Sequence, residues 1–150
     1  MLDYLSAENT VTLATASADG VPHASTFMYV NDGASLYIWA RSTSTTAKHV
    51  LSNPRVSFAI DEYVPDWNKA KGVQGDGECK LVSDGEEIAA TVGLFADKFP
   101  SPSSGASTTN ITFYKITPSV LHFIDNSGEK TSVSGDEFGM SFHREQVLAE

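Results

Sequence analysis

The chain has one cysteine in 150 residues, Cys79. A single thiol excludes an internal disulfide and any metal site built from several cysteines. Positive charge is also scarce: ten Lys and Arg stand against 19 Asp and Glu, a net charge of -9, with a pI near 4.7. Nucleic acid and anionic membrane both recruit concentrated positive charge, so neither is an expected partner. No apolar run approaches the roughly 20 residues of a membrane span. The opening MLDYLSAENT has no basic region and no apolar stretch of signal length. A soluble, cytoplasmic protein is the expectation. H-E-x-x-H, paired cysteines and a G-x-S-x-G elbow are missing too, which removes the zinc and serine-hydrolase readings.

The length fits one domain over residues 1–150, large enough for an ordinary core. The first nine residues have the spacing of a short helix. From Thr10 the period changes to that of strands. TVTLATAS, VPHASTFMYV and SLYIWA are parted by Asp19-Gly20 and Asp32-Gly33, the strong turn pairs of an antiparallel meander. In the third strand Leu36, Ile38 and Ala40 share one face, and Tyr37, Trp39 and Arg41 the other.

Helical spacing then returns, with an apolar stripe of Ala47, Val50 and Leu51 ended by Asn53-Pro54. RVSFAI resumes alternation, with Val56, Phe58 and Ile60 facing one way. After a polar loop carrying Tyr63 and Trp67, VQGDGECKLV reads as a strand. Its Gly75 and Gly77 suggest a bend or a close backbone approach. Cys79 alternates with Val73 and Leu81 as a buried, inert thiol.

Residues 84–99 make the strongest helix, with Asp84 and Glu87 as a capping-box pair and Ile88, Val92, Phe95 and Phe99 as its buried stripe. Pro100 stops it, and SPSSGASTTN is a polar loop. ITFYKIT and SVLHFID read as two strands parted by Pro118, and GMSFHREQVL as a last strand. The class is mainly β with flanking helices (α+β). The expected architecture is a six- to seven-stranded antiparallel barrel, because closure removes exposed edges.

One stretch points to chemistry. ARSTSTTAKHVLSNP puts five hydroxyl residues, Ser42 to Thr46, at a helix start in an acidic protein, with no carboxylate before Asp61. A helix N-terminus presents unpaired N–H groups and the positive end of the dipole, which an acidic residue in the first turn ordinarily answers. Ser44, Thr45 and Thr46 with Lys48 instead make a seat for a phosphate. The plainer reading of the same residues is an N-cap fed by a loop. Trp39 and Tyr37 on the preceding strand add an aromatic wall, which suits a planar phosphorylated ligand. The four histidines, at positions 23, 49, 122 and 143, are scattered; His23, on the second strand, is the one candidate acid or haem ligand, against a structural role.

VTLATASADGVPHASTFMYVNDGASLYIWA, STTAKHVLSNPRVSFAID and KGVQGDGECKLV, in that order, resemble the FMN-binding split-barrel family of pyridoxamine 5'-phosphate oxidase over roughly residues 9–125. The resemblance implies a homodimer with FMN in two interface clefts, and a small-molecule redox substrate. It implies a phosphate near Ser44, Thr45, Thr46 and Lys48, a ring edge near Trp39 and Ala40, and a ring passing over Ser25, Thr26 and Phe27. Gln74 would approach from the other side. Related branches carry F420 or haem, and a cofactor-free dimeric scaffold of this fold is the remaining alternative. The chain departs from the oxidases where they place an arginine-lysine pair, having Thr45-Thr46 there, and it lacks their C-terminal arginine and tryptophan motif. Oxidation of vitamin B6 phosphates is therefore not expected, and no residue is identified as catalytic.

Overall fold

The structure, a computed structural model, describes residues 1–99, 110–127 and 144–148. After α1 (Leu2–Ala7), strands β1 (Thr10–Ala16), β2 (Pro22–Asp32) and β3 (Ser35–Arg41) form the expected meander. Gly20 and Gly33 sit at its turns with φ of 87° and 56°, where a side chain would be strained. Then come α2 (Thr45–Ser52), β4 (Arg55–Asp61), a 3-10 turn (Trp67–Lys69), β5 (Lys71–Leu81), α3 (Gly85–Lys98), β6 (Ile111–Asp125) and β7 (Arg144–Leu148).

The sheet runs β3-β2-β1-β4-β5-β6-β7, and β3 also pairs with β6. Six strands thus close into an antiparallel barrel, and β7 extends β6 beyond the end of β3. Closure is weakest between β1 and β4, which pair only from Thr12 to Ala14 against Ser57 to Ala59.

The interior is filled by the alternating apolar residues of the strands, among them Val11, Leu13, Leu36, Ile38, Val56, Phe58, Ile60 and Leu121, all buried. Ala47 and Val50 of α2 and Leu5 of α1 join this core. α3 lies on the outside, over Val30, Tyr37 and Phe113, where Phe95 rests against Phe99 and Phe113. Tyr37 therefore has both of its surroundings filled, although its face of β3 alternates with the barrel interior. Its hydroxyl donates to Glu87 Oε1 at 2.9 Å, and Lys115 Nζ reaches the same oxygen at 2.9 Å. Asp84 caps α3 by accepting from the Glu87 N–H, as expected, while the Glu87 carboxylate is occupied by this pair.

Several sequence expectations are corrected. Leu51 is 71% exposed and Val92 50% exposed. In α3 the buried residue is Thr91, and in α2 Thr46 is buried along with the expected Ala47 and Val50. Thr91 satisfies its hydroxyl by donating to Glu87 O at 2.8 Å, so a polar residue can occupy the docking face. Leu81 is exposed at the end of β5, whereas Val73 and Cys79 are buried as expected.

Pro118 does not divide two strands; β6 runs through it. It falls between Ile116, the last residue paired to β3, and Val120, the first paired to β7. On the other side it meets the bulge at Asp76 and Gly77. The missing N–H is thereby accommodated at an interruption of the ladder. Gly77 is required there, because a Cβ would collide with Thr117 O and stand 2.9 Å from Pro118 Cα. The expected stop at Pro100, the following polar loop to residue 109 and residues 139–143 of the expected last strand lie outside the described residues.

Candidate functional site

Register places one row of residues across the outside of the barrel. Thr26 pairs with Thr12, Thr12 with Ala59, Ala59 with Gln74 and Gln74 with His122. Cross-strand partners share a face, and these residues alternate with the buried Val11, Leu13, Phe58, Ile60 and Val73. A second row runs beside it: Ala24, Ala14, Ser57 and Asp76. Ser57 Oγ donates to Asp76 Oδ1. The exposed flank of the barrel is therefore carpeted by Thr, Ala and Ser, unlike the long charged side chains that usually cover a solvated sheet face.

Three depressions follow this flank. One of about 580 Å³ lies where β1 and β4 separate, between Thr15, Asn53, Arg55 and Asp76. One of about 330 Å³ lies over Thr12, Ala59, Gln74 and His122. A third, of about 520 Å³, continues from Ala59 and Gln74 beneath the loop carrying Tyr63 and Trp67. Shared residues make them one groove. Farther along the outer face, on β3 and β2, Trp39 and Met28 are exposed side chains.

The residues expected at a cofactor divide into two sets. Thr26, Trp39 and Gln74 face outward. Ser25, Phe27 and Ala40 face inward: Ser25 and Phe27 lie opposite the buried Leu13 and Val11, and Ala40 is in the core. Ser25 Oγ is 2.8 Å from His23 Nε2, whose ring meets the His49 ring edge-on at 5.9 Å. His49 Nδ1 in turn is 3.0 Å from the buried Thr15 Oγ1. His23 thus belongs to a polar cluster with Ser25 and His49 that meets the groove through Thr15. His122, which the alternation of β6 alone did not single out, lines the groove, because only the register with Gln74 brings it there.

At the helix, Ser44 is the N-cap and its Oγ accepts from the Ala47 N–H at 3.1 Å. The first main-chain bond runs from Lys48 N to Ser44 O. The amides of Thr45 and Thr46 precede it and point out of the helix end. Thr45 and Lys48 are exposed, whereas the Thr46 side chain is buried. The first turn holds no acidic residue. Neither Lys48 nor Arg41, at the end of β3, takes part in a salt bridge among the described residues. The helix end thus offers two amides, two hydroxyls and two cations, a donor set that fits an anion. Among the described residues no group of His, Cys, Asp and Glu could hold a metal ion, and no helix is long and apolar enough to cross a membrane.

Residues 1–125 match the pyridoxamine 5'-phosphate oxidase family. No curated protein matches the sequence. Among solved structures, a heme binding protein from Mycobacterium smegmatis superposes with a TM-score of 0.74 at 16% identity, over 99% of this chain and 57% of that one. HutZ, the heme storage protein from Vibrio cholerae, gives 0.67 at 18% identity over 77% and 85% of the two chains. An FAD-binding protein from Mesorhizobium loti gives 0.64 at 23% identity over 79% and 87%. At such identities the likeness is one of fold.

Proposed function

This chain belongs to the pyridoxamine 5'-phosphate oxidase family, and from that premise we propose that it binds FMN and acts as a flavin-dependent oxidoreductase on a small molecule, as a homodimer. The observation that carries the reading is the carpet of Thr26, Thr12, Ala14, Ser57 and Ala59 with its continuous groove. Small side chains let another backbone or a flat ring approach closely. A second copy laid on this flank would turn the open groove into a closed cleft.

The residues present fit the group. The hydroxyls of Ser44 and Thr45 and the amides of Thr45 and Thr46 would receive the phosphate, with Lys48 and Arg41 supplying charge. Trp39 and Thr26 would border the ring system. Bound flavin supplies hydride or electron transfer, and the protein supplies seat, orientation and exclusion of water. The absence of the family's arginine-lysine pair leaves fewer cations for a dianion, which favours modest affinity over permanent retention.

A second reading is favoured by one residue. His122 puts an imidazole on the wall of the groove beside Gln74. Two fold neighbours are haem proteins by their own descriptions. An imidazole in this position would be able to hold haem through its iron.

Absorbance spectra of the purified protein, alone and after reconstitution with FMN or haemin, test both. The expected result is saturable FMN uptake, a stabilisation of ~2.7 kcal/mol at 100 times Kd, and bleaching by a reduced nicotinamide. Uptake of haemin alone favours the second reading. Protein that takes up neither overturns both and leaves a cofactor-free scaffold.

A further inference from the structure

The groove ends under the loop between β4 and β5, where two aromatic side chains stand in solvent. Tyr63 is 91% exposed and Trp67 45% exposed. The part of the loop that carries Trp67 is anchored. Asp66 caps the 3-10 turn, Ala70 N donates to Trp67 O at 3.1 Å, and Asn126 Nδ2 donates to the same carbonyl at 3.2 Å. Asn126 N also bonds Ala70 O, and the Tyr4 hydroxyl bonds Lys71 O at 3.0 Å. The Tyr63 and Trp67 rings, left exposed beside a depression of about 520 Å³, forgo the large burial that such side chains ordinarily gain.

Acidic charge outweighs basic charge around them: Asp61, Glu62 and Asp66 stand against Lys69 and Lys71. Asp61 and Glu62 line the depression and form no salt bridge among the described residues. Lys71, the one cation in the lining, is held by Asp125 at 3.3 Å. Nearby, the Glu8 carboxyl is held above its ordinary value by burial first and then by the charge of Glu62, with Asp61 adding to it against the relief from Lys98. The acidic charge of Asp61 and Glu62 thus reaches beyond the depression to Glu8.

We propose that the depression formed by Asp61, Glu62, Tyr63 and Trp67 binds an organic ammonium cation, the aromatic faces attracting its charge and the two carboxylates neutralising it. The proposal calls the guest a reactant only if the adjoining groove holds a cofactor; the binding itself is independent of that reading. It adds a ligand class to the site: amines and quaternary ammonium compounds, in preference to anions and neutral isosteres.

The sequence has two tryptophans, at positions 39 and 67, so Trp39→Phe leaves Trp67 as the sole indole reporter. Fluorescence of this protein would be titrated with choline and with 3,3-dimethylbutan-1-ol, which has the same shape without the charge. A saturable response to choline, weaker by about fivefold or more for the alcohol, is expected. Asp61→Asn with Glu62→Gln, at two exposed positions, should weaken choline by a similar factor while the thermal melt stays unchanged. Equal response to both compounds, no saturable response, or indifference to the two amide substitutions overturns the proposal. Because no flavin enters the titration, its failure and the failure of cofactor binding are read separately.

Discussion

Phe58 on β4 and Gly75 on β5 face each other across the ladder, and the ring of Phe58 occupies the space where a side chain on residue 75 would stand. A Cβ there would collide with the ring and stand 2.9 Å from Leu121 Cδ2. Both neighbours are buried, so neither can swing into solvent. Gly75→Ala is expected to destabilise by about 1–3 kcal/mol, the usual cost of overpacking a filled core. Urea unfolding at unchanged slope measures it; a variant as stable as the parent would show that the ring is free to move.

Glu87 links α3 to the barrel. Its carboxyl is held below its ordinary value of 4.5, first by the hydrogen bond from Lys115 and then by that from Tyr37. A depressed carboxyl contributes stability above its unfolded value and loses it as pH falls through its folded value. Glu87→Gln should therefore melt below the parent at neutral pH, and the gap should close on acidification below about 4.5. The side chain is one-third exposed, so the gap belongs to the range of about 0–1 kcal/mol typical of surface pairs. A gap that stays constant from pH 7 to pH 3 would contradict the linkage.

Lys48 is the exposed cation of the α2 terminus. Lys48→Ala is expected to weaken FMN about tenfold or more, as a charge-assisted hydrogen bond is worth ~1.5–3 kcal/mol. Thr46→Val, at the buried position of the same helix, should leave FMN affinity alone. Flavin fluorescence titration reads both, and identical behaviour of Lys48→Ala and the parent would remove the helix end from the site.

Ala59 lies at the centre of the small-residue row. Replacing it by arginine places a long charged side chain where a second copy would have to approach. Sedimentation velocity should report a monomer for Ala59→Arg and a dimer for the parent. A parent that sediments as a monomer, or a variant that remains a dimer, would count against pairing through this flank.

Cys79 is fully buried, and burial pushes its thiol up to about 12. An aromatic disulfide reagent near neutral pH should react only as fast as the protein opens, and at once in denaturant. Rapid labelling of the native protein would show that β5 is not closed over it.

Much of the barrel was legible from alternation. Val56, Phe58 and Ile60 are buried as their spacing implied, and the two Asp-Gly turns fall where strands reverse. The helices were read less well. An apolar stripe assigns Val92 and Leu51 to the core, but in α3 Thr91, whose hydroxyl donates to the Glu87 carbonyl, takes the docking face, and in α2 Thr46 joins Ala47 and Val50 there. Pro118 misled because a strand accepts a proline at a bulge or an unpaired edge, and here the bulge on β5 and the gap between β3 and β7 are set by separate segments. Of the site, the helix end was visible as a run of hydroxyls without acids. The groove was not, because its members Thr12, Ala59, Gln74 and His122 come from four strands, and only the register joins them.

The pairing of β3 with β6 has a consequence for how the molecule assembles. Arg41 and Ile111 meet across that seam although nearly half of the chain lies between them. Until β6 is in place, β3 and β5 each present an unsatisfied edge, and the entropy of closing so long a loop must be met before the seam rewards it. A nascent or truncated chain ending before residue 111 would thus be a sticky, open sheet. Assembly is expected to wait on β6, which acts as the latch of the barrel, and slow refolding should be most sensitive to changes in that strand.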